Sequence, residues 1–197
     1  AFAADPRLDG TRVIPPNLKF ALNVQFDGAK GPVEVSFRSG SIRSQRRELR
    51  KLLQEVKASS KRGSPSEGRT LGRELGAMIF EYEDGRSKVV QFTSNDPMEI
   101  TGEDMKRALI GSGVARDRGA VKRLIHIHTH PDPHCLGQSL LVPSAGDYEY
   151  MKMLEGAVKI WGPGGPNVEG IVLPAGENQE DLLIRYRSSG LRPSPSR

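Results

Sequence analysis

Between Leu18 and Phe26 the apolar side chains Leu18, Phe20, Leu22, Val24 and Phe26 occupy every second position. Successive side chains of a strand point to opposite faces, so this is the pattern of a half-buried strand. Val33, Val35 and Phe37 repeat the alternation. Asp27-Gly28 between the runs is a turn signal, and with Pro32 the connection is longer than a two-residue hairpin. The chain is therefore expected to open with a β-hairpin or meander. The period then changes: Leu49, Leu52, Leu53 and Val56 stand at i, i+3, i+4 and i+7, which gathers them on one face of a helix. A helix is predicted from Ser41 to Ala58, with arginines and lysines on a solvated opposite face.

The polar stretch "SSKRGSPSEGR" predicts a mobile loop over residues 59–70. Leu75 to Phe80 and Lys88 to Phe92 flank the turn-like "EYEDGR" and predict a second antiparallel pair. Thr101 is expected to cap a short helix carrying Met105, Leu109 and Ile110 and ended by Gly111. A strand follows over Val121 to Thr129, then a short helix through Leu154, a turn at "GPGGP", and strands at Gly170 to Leu173 and Leu182 to Tyr186. The tail "LRPSPSR" reads as frayed. There is no internal repeat. The expected fold class is α+β: one domain over residues 18–187, with a mixed, mostly antiparallel sheet packed by helices. An N-terminal extension (1–17) and a flexible tail (188–197) flank it.

Composition narrows the function. A chain of 197 residues suits one domain with a real core. No stretch approaches the roughly 18 uninterrupted apolar residues of a membrane-spanning helix. A single cysteine excludes an internal disulfide framework, and cytoplasm is the default expectation, with secretion or toxin-type delivery as the other routes. The opening Ala1-Phe2-Ala3-Ala4 has the small residues of a signal cleavage site, with no basic or apolar run before it. A net charge of +5 and a pI near 9.5 permit an acidic partner such as nucleic acid, a carboxylate-rich protein or a membrane surface.

The chemistry concentrates in "HIHTHPDPHCLGQSLLVPSAGD", which holds all four histidines of the chain, His126, His128, His130 and His134, and its only cysteine, Cys135. In an extended segment Leu124, His126, His128 and His130 share one face, and Arg123, Ile125, Ile127 and Thr129 the other. Neighbouring histidines on that face have Cα atoms roughly 6.5 Å apart, close enough for two imidazoles to converge on one ion. Pro131 has no N–H for a sheet ladder and is expected to end the strand there.

His128-Thr-His130-Pro131 followed by Ser144-Ala-Gly-Asp147 resembles the HxHP…SxxD signature of the JAMM (MPN/JAB) zinc metalloproteases, which include deubiquitinating isopeptidases and bacterial relatives. The resemblance implies zinc held by His128, His130 and Asp147, with Ser144 hydrogen-bonding near the reacting water and the substrate carbonyl. The family also carries an upstream glutamate at the head of a strand, followed by glycine and apolar residues. "RELGAMIFEYEDG" supplies Glu74, Gly76 and then Ala77 to Phe80, which makes Glu74 the expected general base. Glu67 lies in the polar loop and Glu81 at the far end of the strand. Thirteen residues, Pro131 to Pro143, separate His130 from Ser144, roughly twice the length in typical members. Longer loops are tolerated because closure entropy grows only logarithmically. Pro143-Ser144 resembles the "PSxxD" ending of RadC-like relatives and of JAB domains attached to bacterial toxins. A Ser144 helix cap would put Asp147 in the first turn, anchored for ligation.

The resemblance further implies an α-β-α layered, cytidine-deaminase-like fold and hydrolysis of an amide bond in a protein or peptide, with a ubiquitin-like modifier or carrier-protein tail among the substrate classes. Two imidazoles and one carboxylate leave a fourth position open, as catalytic zinc requires. His126 is expected behind the site rather than as a ligand, and His134 and Cys135 near the metal. Two other classes remain: a RadC-like nucleic-acid-associated protein using the basic surface, although no reading motif is present, and a non-catalytic MPN scaffold, although such members usually lose the ligands retained here.

Overall fold

The computed structural model describes residues 19–26, 28–61, 74–93, 100, 102–130, 142–175, 179–188 and 192–193. The expected extension over 1–17, Leu18, Asp27, most of the expected loop over 59–70, Thr101, Pro131, His134 and Cys135 lie outside those residues. The first alternation folds as β1 (Lys19–Val24) antiparallel to β2 (Val33–Ser41). Gly28 makes the turn with a φ of 78°, a backbone region that glycine enters without steric cost.

Helix α1 spans Arg47–Lys61, starting later and running further than the expected 41–58. Asp181 explains the late start. Its carboxylate accepts from the Ser41 hydroxyl and from the Arg43 amide (2.9 Å), and its carbonyl from the Ile42 amide (2.8 Å). Those bonds hold the chain in the end of β2 and a 3-10 turn at Ile42–Ser44, and the helix begins beyond them. Leu53 and Val56 are buried as their spacing requires. The basic side is not wholly solvated, however. Lys57 is buried, and its Nζ donates to the carbonyls of Gln179 and Leu182, the latter at 2.8 Å.

Next come β3 (Leu75–Tyr82) and β4 (Ser87–Thr93), then α2 (Gly102–Ser112). The helix runs through Gly111, and it is Gly113, with φ 72°, that takes the left-handed stop. Strand β5 (Val121–His130) leads to α3 (Ala145–Val158), β6 (Asn167–Pro174) and β7 (Leu182–Tyr186). Arg192–Pro193, in the stretch expected to fray, form a two-residue strand β8 on β2.

The sheet order is β1-β2-β7-β6-β5-β3-β4. Every neighbouring pair on this path is antiparallel except β5 and β6, which are parallel and joined through α3. The fold is thus α+β, with a mixed and mostly antiparallel sheet. One face packs on α1 through Ala77, Ile79, Ile125, Ile127, Ile171 and Leu183; the other carries Met78, Phe80, Leu124 and Val172 against Met105 of α2 and Tyr148 and Met151 of α3.

On the α1 face, buried Glu169 receives Arg123 at 2.7 Å and Arg185, whose other guanidinium nitrogen reaches Gln45. Burial alone would raise the Glu169 carboxyl, but the Arg185 hydrogen bond and charge, then those of Arg123, hold it below its ordinary value. A folded value below the unfolded one means that this pairing stabilises the fold above about pH 4.5 and is lost as pH falls further. Glu169→Gln should lower the unfolding free energy by roughly 1–3 kcal/mol near neutral pH. Urea titrations across the acid range should also show a shallower loss of stability for the variant than for wild type.

Candidate metal centre

Strand β5 lies inside the sheet, with Gly76 of β3 opposite His128 on one side and Val172 and Pro174 of β6 opposite His128 and His130 on the other. Its alternation puts His126, His128 and His130 on the α3 face, all three buried. The intervening Thr129 faces α1, where its hydroxyl accepts from Ser60 Oγ and from the Leu75 amide, both at 2.9 Å. One side chain thus ties the end of α1 and the head of β3 to the histidine-bearing strand.

Ser144 is the N-cap of α3. The Asp147 amide donates to Ser144 Oγ at 3.1 Å, and the Ser144 amide donates to Asp147 Oδ2 at 2.7 Å, a reciprocal capping box. This fixes the Asp147 carboxylate over the end of β5. Its Oδ1 lies 3.1 Å from His128 Nε2 and its Oδ2 3.2 Å from His130 Nε2, while the two Nε2 atoms are 3.1 Å apart. Tetrahedral ligand atoms about 2.0–2.1 Å from zinc would stand roughly 3.3 Å from one another, so the three donors already sit near that spacing. Two neutral imidazoles facing through Nε2 can share only one proton, and two charged ones at this distance repel. A cation between the three donors satisfies all of them, and the His128–His130–Asp147 group can bind a metal ion.

Asp147 is suited to that role. Burial would raise its carboxyl, but the charge and hydrogen bond of His128 and those of His130 hold it well below the ordinary range, so it stays anionic. Glu74 immediately precedes β3 and is half-buried. It lies two residues before Gly76, which pairs with His128. His126 stands behind His128, its ring centre 5.5 Å away, between Phe92 at 6.0 Å and Tyr150 at 4.8 Å. Burial, and then the His128 charge, push its pKa down to about 3, which keeps it neutral.

The structure thus brings together His128, His130, Asp147 and Ser144, with Glu74 at the head of the adjacent strand. Tyr150 and Tyr186, against His126 and His128, and Tyr148, against Tyr186, were not anticipated; Tyr148 and Tyr150 sit close after Asp147 in the sequence but carried no motif. Gly76 could have drawn attention on its own account, because a Cβ there would come under 3.0 Å from the Phe92 ring and the Ile100 side chain. Among the described residues, the buried side-chain nitrogens and oxygens without a hydrogen-bond partner belong to Tyr82, His126, His128, His130 and Tyr186. All five residues lie on the α3 face.

No protein-family model, curated protein or solved structure matches the chain.

Ser144→Ala removes one half of the cap. It should lower stability by about 1 kcal/mol and, by loosening the Asp147 backbone, weaken metal uptake. Urea unfolding and competition against a chromophoric chelator would measure the two effects separately.

Proposed function

We propose that this chain is a zinc-dependent hydrolase of amide bonds in protein or peptide substrates, of the JAMM type that its HxHP…SxxD pattern resembles. The observation that carries the reading is the convergence of His128 Nε2, His130 Nε2 and the Asp147 carboxylate at 3.1–3.2 Å. Three protein donors leave an open position, the arrangement of a catalytic rather than a structural site. A bound zinc ion supplies Lewis acidity, polarising a substrate carbonyl and easing the ionisation of water beside it.

The chain's own residues supply the proton traffic and the orientation. Glu74, at the head of the strand that pairs with the histidine strand, takes a proton from the attacking water and returns it to the leaving amine. Ser144 Oγ uses a lone pair in the cap, which leaves its O–H to donate to the carbonyl oxygen as negative charge develops there. Asp147 and the two imidazoles stay fixed throughout, one by the helix cap and the others by the sheet. No covalent acyl intermediate is required, so Cys135 needs no role as a nucleophile. Isopeptide bonds to a ubiquitin-like modifier and carrier-protein tails are the substrate classes to examine.

Two histidines with one carboxylate also suit ferrous iron, so the metal is the first quantity to determine. Elemental analysis of protein purified without added metal should give near-stoichiometric zinc in wild type and little in His128→Ala or Asp147→Ala. Wild type that is metal-free and takes up no added zinc would sink the reading, and iron in its place would redirect it to redox chemistry.

Glu74→Gln separates binding from chemistry. It should keep its zinc and lose roughly 10²–10⁴-fold in the rate of peptide or isopeptide cleavage. Undiminished cleavage by this variant would remove Glu74 as the base.

A further inference from the structure

The two Nε2 atoms turn toward Asp147, so the Nδ1 atoms of the same rings turn away from it. An imidazole that ligates through Nε2 carries its proton on Nδ1, and that N–H needs an acceptor, which commonly orients the ring and tunes the metal. His128 Nδ1 is buried and has no partner among the described residues, and the same is true of the Tyr186 hydroxyl. The two rings are perpendicular, with centres 6.4 Å apart. A phenol C–O bond, the two ring radii and one hydrogen bond of about 2.9 Å add up to about that separation; neither atom has a partner, so the two are not bonded to each other here, and a small ring rotation or one water would join them.

We propose that Tyr186 is a positioning residue of the centre: its hydroxyl receives the His128 Nδ1–H, directly or through one buried water, when Nε2 of that ring holds an ion. This rests on the metal centre proposed above.

The sheet is shaped to bring the phenol there. Tyr186 lies on β7 and His128 on β5, with β6 between them. The β6 residue opposite Tyr186 is Gly170, which on its other side faces His126. A Cβ at Gly170 would come under 3.0 Å from the Tyr186 ring. Glycine inside a strand weakens it and often marks a close approach of another group; here the missing side chain lets the phenol lie across β6 toward β5. Burial, and then the charges of Asp147, neighbouring tyrosines and Glu74, push the Tyr186 ionisation far up.

Tyr186→Phe deletes only the oxygen. A merely structural role predicts a less stable protein with unchanged metal affinity. The positioning role predicts the reverse: a metal-free melting temperature that is unchanged or higher, because the lost hydroxyl had no partner, with zinc bound 10- to 100-fold more weakly. The visible absorption of the cobalt-loaded protein should shift as well. Chelator competition and cobalt spectra on wild type and Tyr186→Phe read all three quantities. Equal affinity and an identical spectrum in the two proteins overturn the role of Tyr186 and leave the centre standing. Wild type that takes up neither ion overturns the centre and this role together. If the variant does not fold, the imidazole N–H of His128 in zinc-loaded wild type decides the matter by proton resonance: protection from solvent exchange supports the role, and rapid exchange overturns it.

Discussion

The Asp147 carboxylate is shared between the N-terminus of α3 and two imidazoles of β5, and the positions of both elements follow from that sharing. Oδ2 accepts the Ser144 amide at 2.7 Å and stands 3.2 Å from His130 Nε2, while Oδ1 stands 3.1 Å from His128 Nε2. An anion at a helix N-terminus is favoured by the exposed amides and the helix dipole. The same anion lowers the electrostatic cost of gathering imidazoles below it. Moving Asp147 by one residue would break the cap and rotate the carboxylate away from the sheet, so helix start and donor geometry are set by one residue in two roles.

Where a pattern was local, the sequence was sufficient to find it. The alternation of His126, His128 and His130 put them on one face because a strand has period two, and Ser144 three residues before Asp147 announced the cap. Strand β7 ends where its apolar run ends. The misplaced start of α1 traces to a partner distant in sequence. The beginning of α1 was set by Asp181, 140 residues from Ser41, and the fate of Lys57 by the carbonyls of Gln179 and Leu182. The end of α2 depended on which of two nearby glycines adopts a positive φ, and composition is silent on that. The tyrosines around the histidines were invisible for the same reason: only the β5–β6–β7 register brings Tyr186 across Gly170.

The two faces of the sheet treat buried polarity differently. Toward α1, Lys57, Ser60, Thr129 and Glu169 all have hydrogen-bond partners within the protein. Toward α3, both nitrogens of His126, Nδ1 of His128 and of His130, and the hydroxyls of Tyr82 and Tyr186 have none among the described residues. Buried polar atoms left with no partner, water included, cost about 1–3 kcal/mol each. Polarity on the first face serves to join elements. On the second it includes the His128–His130–Asp147 group, which could bind a metal ion.

The single parallel pairing gives the assembly an order in time. Ser144 and Asp147 are three residues apart, and their contacts close on the sub-microsecond scale of a helix turn. The histidine strand must instead find β3 far upstream, and then β6 only after α3 has crossed the sheet, and such non-local pairings form slowly. The carboxylate is therefore expected to be preformed on a capped helix before its histidines are fixed. A nascent chain would present a ready anion with no complete chelate until the sheet closes, which delays any ion-dependent activity to the last stage of folding.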